Sequence, residues 1–297
     1  MFYLRGTGGG AILNRDGKLR KLNLRDSLMI SSTVYGELHP SGRWGVFSTN
    51  IIIPGFHTEG TSRMEIFDTA SDLVVADFDA NRMITTPAFA REDAWETFPA
   101  FSADGKWVYY CVADTVALPM RVKDLHYSLV RTAFNGDGTL GPQVDTIRSA
   151  SVGGSVCHPK VSPDDRWLLY TVADYGTFPI WHEECHLELM DLSTGLVVPT
   201  EELHADRSDT YHCWSSDGRW IVFASKRGDG QYGKPYFCHI DSQGAVSKPF
   251  VLPQKDPFFY DFNLKSFNIP DLSDSPVPFD LDDVGAIMTN LDAEVFE

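Results

Sequence analysis

The sequence of 297 residues contains no run of about 18 apolar residues, which excludes a membrane-spanning helix. Basic residues are scarce, because 25 Lys and Arg against 41 Asp and Glu give a formal net charge of −16. An acidic surface repels phosphate groups, so this balance disfavours nucleic-acid binding and docking on anionic membranes. The opening residues 1–14 lack a basic segment followed by an apolar one, and we therefore predict no signal peptide in this chain.

Cysteine is also scarce, with five residues and no C-x-x-C pair. The odd number argues against a complete disulfide framework, and the spacing argues against a four-cysteine zinc site. We predict free, mostly buried thiols. Cysteine usage leaves the cellular compartment open.

The strongest pattern in the sequence is a short motif that occurs four times, which we call the repeated word. Each copy has an apolar residue, a small polar turn, a basic residue and a tryptophan, and a run of β-forming residues follows. The copies are Leu38–Trp44, Phe101–Trp107, Val161–Trp167 and Trp214–Trp220. Proline suits the first turn position, Asp or Ser bonds back to the chain, and glycine adopts a positive φ, so each word predicts a β-hairpin.

A second hairpin pattern alternates with the first and occurs five times. Its copies are at residues 11–22, 64–77, 128–138, 187–198 and 237–244. Two hairpins per repeat make a four-stranded sheet, and repeated sheets of that size are the blades of a β-propeller. We therefore predict an all-β fold, a β-propeller of four-stranded blades.

The hairpin counts predict about four and a half blades, because the first hairpin of the N-terminal blade is missing. Either a later segment completes that blade in a five-bladed ring, or upstream sequence has been lost. We favour the truncated propeller. Residues 248–270 are expected to supply one strand at most, since their prolines argue against two.

The C-terminal residues differ in composition from the repeats. We assign residues 1–270 to the propeller and residues 271–297 to an acidic tail, which has eight acidic residues and no Lys or Arg. Its segment Ser273–Pro278 is typical of irregular structure, and Leu281–Phe296 has weak helical spacing. We predict a disordered tail that carries a short helix.

The repeated word resembles the repeat of TolB-like propellers, also called WD40-like repeats, over about residues 11–270. Longer words that begin at Glu96, Asp174 and Tyr211 are similar to a Bacteroidetes branch of secreted or lipid-anchored TolB-like proteins. The resemblance implies a periplasmic or cell-surface propeller and implies no activity. Some relatives attach haem through an upstream C-x-x-C-H, which this sequence lacks, so we predict no cofactor.

His182-Glu-Glu-Cys-His186 matches the H-E-x-x-H motif of zinc peptidases, in which both imidazoles share one helix face. The residues that follow predict a strand, on which positions four apart are separated by roughly 13 Å. One zinc ion cannot bind both imidazoles in that arrangement. We therefore assign no metalloprotease and no catalytic residue.

Two other motifs are predicted to be turns. Arg227-Gly-Asp229 is an integrin-type tripeptide, but Asp-Gly is a natural hairpin turn. Asn135-Gly-Asp-Gly138 is similar to a calcium loop, but the acids that an EF-hand needs are replaced by Ala133 and Val144.

Candidate pocket residues follow from the repeat, because the first strands of blades line the central channel of a propeller. They are Glu96, His158, Asp209, Tyr211 and His212. The alternative is that these side chains cap and pack the blades. Three more candidates lie outside the repeated words, where loop aromatics are plausible anchors for a partner: Trp95, Trp181 and His182.

The predicted function is non-catalytic binding of a protein or peptide partner by a monomeric propeller of the cell envelope, since loops on a rigid scaffold commonly carry binding. The alternative is a metal-dependent lyase of oligouronides, as some TolB-like propellers are, with His39, His158 and His212 as the metal ligands. A third hypothesis is a fragment without activity whose unpaired blade edges are adhesive.

Overall fold

A computed structural model describes residues 2–5, 10–56, 64–276, 279–290 and 292–296. Its strands form five four-stranded sheets, which confirms the predicted all-β class. None of the helices in these ranges is long and apolar enough to span a membrane.

Sheet 1 begins with three antiparallel strands near the N-terminus. They are β1 (Phe2–Arg5), β2 (Gly10–Arg15) and β3 (Lys18–Asn23). The turn between β2 and β3 is the first copy of the second hairpin pattern. Residues 2–5 thus add a strand to the half blade that the sequence predicted.

Sheets 2 to 5 are antiparallel meanders of four consecutive strands each. Sheet 2 contains β4 (Thr33–Leu38), β5 (Trp44–Phe56), β6 (Met64–Asp77) and β7 (Arg82–Ile84). Sheet 3 contains β8 (Ala94–Phe101), β9 (Trp107–Asp114), β10 (Ser128–Phe134) and β11 (Leu140–Arg148). Sheet 4 contains β12 (Ser155–Val161), β13 (Trp167–Ala173), β14 (His186–Asp191) and β15 (Leu196–Val198). Sheet 5 contains β16 (Asp209–Trp214), β17 (Trp220–Ser225), β18 (Lys234–His239) and β19 (Phe250–Val251).

Each repeated word forms the hairpin between the first two strands of its sheet, as predicted. In three words the serine accepts a hydrogen bond from the backbone N–H of the tryptophan, for example Trp167 N to Ser162 Oγ at 2.9 Å. Gly42, Gly105 and Gly218 adopt positive φ values of 75°, 72° and 67° in these turns. The left-handed backbone explains why glycine recurs at this position.

Four buried hydrophobic clusters join the sheets in chain order, sheet 1 to 2, 2 to 3, 3 to 4 and 4 to 5. The repeated tryptophans Trp44, Trp107 and Trp167 each pack in the cluster that faces the following sheet. Trp220 is 37% exposed and belongs to none of these clusters. In the residues that the structure describes, no such cluster joins sheet 5 to sheet 1, so the prediction that all four indoles are core is wrong for Trp220.

The C-terminal residues return from sheet 5 to sheet 1. After α1 (Phe259–Phe262) the chain reaches α2 (Leu281–Asn290) and β20 (Glu294–Val295), which pairs in parallel with β3. Arg20 donates a hydrogen bond to Glu294 at 2.9 Å, and Phe296 is buried in the cluster between sheets 1 and 2. The segment predicted as a disordered tail therefore contains a helix and a strand, while the domain boundary at residue 270 stays a prediction.

Candidate functional site

The first strands of sheets 2 to 5 meet at the centre, where β4 contacts β8, β8 contacts β12 and β12 contacts β16. A cavity of about 410 Å³ lies between them. A second cavity of about 440 Å³ shares part of its lining, including Lys160, His212 and Asp271. Volumes in this range are typical of ligand pockets.

A bulge occurs in all four of these first strands, and in three of them a bulky residue there has a positive φ. Phe98, His158 and Tyr211 have φ values of 50°, 52° and 52°, and each lies where the register with the second strand shifts. A positive φ is uncommon for bulky residues, and strained backbone clusters at functional positions. The bulges place the three side chains in the lining of the central cavity.

The rings of these residues and Tyr35 form a continuous group, which we call the central aromatic cluster (Tyr35, Phe98, His158 and Tyr211). Ring centroids are 4.4 Å apart for Tyr35 and Phe98, 4.3 Å for Phe98 and His158, and 4.8 Å for His158 and Tyr211. Tilted and edge-on rings at close centroid distances attract each other. Four sheets therefore hold one aromatic surface at the centre of the fold.

The imidazoles of the cavity are neutral at physiological pH. Burial, together with His212 and Lys160, lowers the pKa of His158 well below its usual value, and burial lowers the pKa of His212 to about 3. The His158 Nδ1 atom lies 3.2 Å from Thr210 Oγ1, and His158 Nε2 has no hydrogen-bond partner among the described residues. This ring nitrogen is buried and can either donate or accept a hydrogen bond, depending on the tautomer.

Charged groups lie at the edge of the lining. Lys160 forms an ion pair with Glu37, and although burial lowers the pKa of Lys160, the carboxylate raises it above the usual value. Cys213 Sγ donates a hydrogen bond to Asp271 Oδ1 at 2.7 Å. Burial and the Asp271 carboxylate raise the pKa of the Cys213 thiol to about 12. The cavity thus combines aromatic rings, a neutral imidazole and an ion pair.

Three of the predicted pocket residues, His158, Tyr211 and His212, lie in the lining. Glu96 and Asp209 are fully buried at the start of β8 and β16, outside the described lining. Burial raises the pKa of Glu96 to about 8. Asp209 accepts a hydrogen bond from Arg227 at 2.8 Å, and burial still raises its pKa above the usual value.

The predicted anchors outside the repeat do not lie in the described lining of the cavity. Trp95 is a buried residue within β8 and not a loop residue. Trp181 ends a 3₁₀ turn that begins at Pro179, with Lys226 Nζ 5.1 Å from its ring centroid. His182 is buried and lies 3.0 Å from the carboxylate of Glu184.

The metal sites considered from the sequence are not assembled. His39 lies on the first repeated turn, with Nε2 3.0 Å from the carbonyl oxygen of Gly105, and it is not part of the described cavity lining. His186 lies at the start of β14, 3.8 Å from Glu188, and does not share a helix with His182. Among the described residues, no three His, Cys, Asp or Glu side chains form a group that could hold a metal ion.

The two motifs predicted as turns are turns. Gly228 and Gly230 have φ values of 99° and 73°, and Arg227 is turned inwards to Asp209. The Asn135–Gly138 segment closes the hairpin between β10 and β11, where Asn135 N donates to Thr139 O at 2.8 Å.

Sequence reasoning missed Tyr35, Phe98 and Lys160. The signal was present, because each member of the central aromatic cluster precedes the apolar residue of its repeated word by three positions. Aligning the residues before the four words, in addition to the words themselves, would have selected all four rings. The bulge that turns these rings towards the centre has no comparable sequence signal.

Comparisons with known proteins find similar solved structures but no family. No protein-family model and no curated protein matches the sequence. A structure of prolyl endopeptidases is 12% identical with a TM-score of 0.50, and the match covers 84% of this chain and 34% of that chain. A functionally unknown protein from Desulfotomaculum acetoxidans is 14% identical (TM-score 0.49), and the periplasmic gluconolactonase of Pseudomonas aeruginosa is 16% identical (TM-score 0.45). Both matches cover 84% of this chain and 66% of the other, so the chain spans less than two thirds of these proteins. At 12% identity the match to the prolyl endopeptidase structure shows the β-propeller fold and nothing about activity.

Proposed function

We propose that this chain is a TolB-like propeller of the cell envelope that binds an extended segment of a protein partner in its central cavity, without chemical change to the partner. The repeated turn-and-tryptophan word supports the TolB-like part of the proposal. The central aromatic cluster supports the binding part. It joins side chains from four sheets at the central cavity, and Phe98 and Tyr35 also take part in the packing between sheets 3 and 4.

The chemistry of the cavity suits a peptide better than a small charged metabolite. Aromatic rings offer large contact areas to aliphatic and proline side chains. The His158 ring lines the cavity, and its buried, unpaired Nε2 could bond a backbone N–H or a carbonyl, depending on the tautomer, once a peptide displaces the side chains over it. The ion pair of Lys160 and Glu37 adds a polar rim, as in protein interfaces generally.

The lyase alternative has no observation in its favour. His39 contacts Gly105, Phe101 and Phe134 on the turns of sheets 2 and 3, whereas His158 and His212 line the cavity. We therefore propose partner binding alone, and we propose that the chain binds as a monomer.

The test uses Tyr211→Asn, because asparagine tolerates a left-handed backbone while removing the ring. We expect the variant to lose about tenfold or more of its affinity for a partner captured from envelope extracts by the wild-type protein, since buried aromatic anchors contribute ~2 kcal/mol or more. Affinity is measured with the purified partner by titration calorimetry.

Tyr232→Asn is the control, because Tyr232 belongs to the same sheet region and lies outside the described cavity lining. It is expected to bind as the wild type does. Equal affinities for wild type and Tyr211→Asn, with both folded by circular dichroism, would contradict binding at the central aromatic cluster.

A further inference from the structure

A segment between sheet 5 and α2 runs along sheet 5 and ends at the central cavity. We call residues Ser266–Asp271 the strap. Phe267 N donates to the carbonyl oxygen of Gly233 at 2.8 Å, and Ser266 Oγ accepts from Gly233 N at 3.2 Å. A Cβ atom on Gly233 would lie only 2.7 Å from Asn268 Oδ1, so the strap rests directly on this glycine.

The end of the strap enters the lining of the central cavity. Ile269 and Asp271 line the 410 Å³ cavity together with the central aromatic cluster, and Pro270 joins them in the neighbouring one. Asp271 accepts the hydrogen bond from Cys213. Its carboxylate also adds to the negative charge near Lys160. The chain thus presents Ile, Pro and a carboxylate to the site at which we propose that a partner binds.

Phe267 packs against Phe259 and Tyr260, but little apolar burial holds the end of the strap at the cavity. Ile269 is 61% exposed, and Leu264, just before the strap, is 75% exposed. Burial of an aliphatic side chain stabilises by only about 25 cal/mol for each Å² removed from water, so these residues contribute little. Contacts of this kind are easily exchanged for equivalent contacts from another chain.

We propose that the strap is a built-in occupant of the cavity edge, and that the partner is an extended acidic peptide, with an aliphatic residue and a proline before a carboxylate, that takes the place of the strap. This inference rests on the proposed function. Proline fixes φ and lacks an N–H, so a peptide that contains it is already extended and loses little conformational entropy on binding. The carboxylate would meet Cys213 and Lys160 as Asp271 does.

The strap lowers the apparent affinity for such a peptide, because an attached competitor has a high effective concentration. The probe is a fluorescein-labelled synthetic peptide of residues 265–274, and the measurement is fluorescence anisotropy with the full chain. The variant Ile269→Ala with Asp271→Ala weakens the strap. We expect it to bind the peptide about tenfold or more tightly than the wild type does.

The matched control is Leu264→Ala with Asp274→Ala, which makes the same two kinds of change on either side of the strap. It is expected to bind the peptide as weakly as the wild type. Equal affinity of the strap variant and the wild type, or a scrambled peptide that binds as well as the true one, would overturn the proposal.

Cys213 supplies a second measurement that needs no partner. The other four cysteines are buried, so iodoacetamide is expected to alkylate Cys213 first in the native protein. The strap variant should react about tenfold or more faster, because the thiol proton is no longer held by Asp271. Adding the peptide should slow the reaction again, and a rate that is the same in wild type and variant would contradict a strap seated at the cavity.

The two proposals fail separately. If Tyr211→Asn abolishes partner binding while the strap variant changes neither peptide affinity nor Cys213 alkylation, the strap proposal is wrong and the binding function stands. If the strap variant behaves as expected while Tyr211→Asn binds the partner normally, the strap covers a site that the partner does not use, and the proposed function is wrong.

Discussion

Replacing Arg227 by methionine is expected to destabilise the fold by about 3–5 kcal/mol, the usual result of removing one partner from a buried ion pair. The Arg227 side chain is 17% exposed and that of Asp209 is 1% exposed. Its guanidinium donates hydrogen bonds to the Asp209 carboxylate, the Leu203 carbonyl and the Ser225 hydroxyl, at 2.8, 2.6 and 2.8 Å. Methionine keeps much of the volume but leaves the Asp209 carboxylate buried without its cation. Urea unfolding monitored by tryptophan fluorescence measures the loss.

The double variant Arg227→Met with Asp209→Asn separates the charge from the packing. Because no uncompensated charge remains, we expect it to be more stable than Arg227→Met alone. Arg219→Met is the control on an exposed arginine of the same sheet, with an expected change of at most about 0.5 kcal/mol. A double variant that is less stable than Arg227→Met would show that the unpaired carboxylate is not the cause.

Replacing Glu96 by glutamine is expected to stabilise the protein increasingly as pH rises from 4.5 to about 8, relative to its effect below pH 4.5. Burial, with the Asp72 carboxylate as a smaller cause, raises the pKa of Glu96 from 4.5 to about 8. Neither of its oxygens accepts a hydrogen bond of normal geometry from the described residues. The folded state therefore holds a proton that the unfolded state releases between pH 4.5 and pH 8.

The direction in which stability changes with pH follows from this bound proton. Since the folded pKa is the higher one, the free energy of unfolding decreases as pH rises through the interval from 4.5 to about 8, and it levels off above. Each pKa unit corresponds to roughly 1.4 kcal/mol, so between about pH 6 and about pH 8.5 the wild type should lose ~2–3 kcal/mol through Glu96. Glutamine cannot ionise and removes this loss. Both conditions lie above the pI of 4.9, so the net charge keeps its sign.

The measurement is the difference in the free energy of unfolding between Glu96→Gln and wild type at the two pH values. Burial raises the pKa of Asp68 to about 7 as well, but this contribution cancels in the difference because both proteins contain Asp68. Glu92→Gln, an exposed glutamate four residues earlier, is the matched control. A difference that does not grow with pH would contradict a protonated Glu96 in the folded state.

These two predictions concern Glu96 and Asp209, which the sequence analysis had selected as pocket residues. Glu96 and Asp209 stand five positions before the apolar residue of their words, and we predicted both as pocket residues from that place. The structure has them fully buried, whereas the residues two positions later, Phe98 and Tyr211, line the cavity. On an undisturbed strand, residues two apart would share one face. A bulge follows Thr97 and Thr210, and it changes which side chains point to the centre.

The sequence alone determined the all-β class, the four-stranded unit and the positions of its turns. These depend on local chemistry, namely a serine that caps a turn, a glycine with positive φ and β-forming residues that follow, so they can be recognised within about ten residues. The four aromatic residues that each stand three positions before a repeated word were also present in the sequence.

Only the tertiary structure decided which of these residues meet and which sheets are covered. Whether Trp220 is buried depends on a neighbouring sheet, and whether Asp271 reaches Cys213, 58 positions earlier, depends on the path of the chain between them. Contacts at such sequence separation arise from the packing of whole sheets, which no local pattern encodes. The strap and the central cavity are therefore properties of the folded chain, although each of their residues can be read in the sequence.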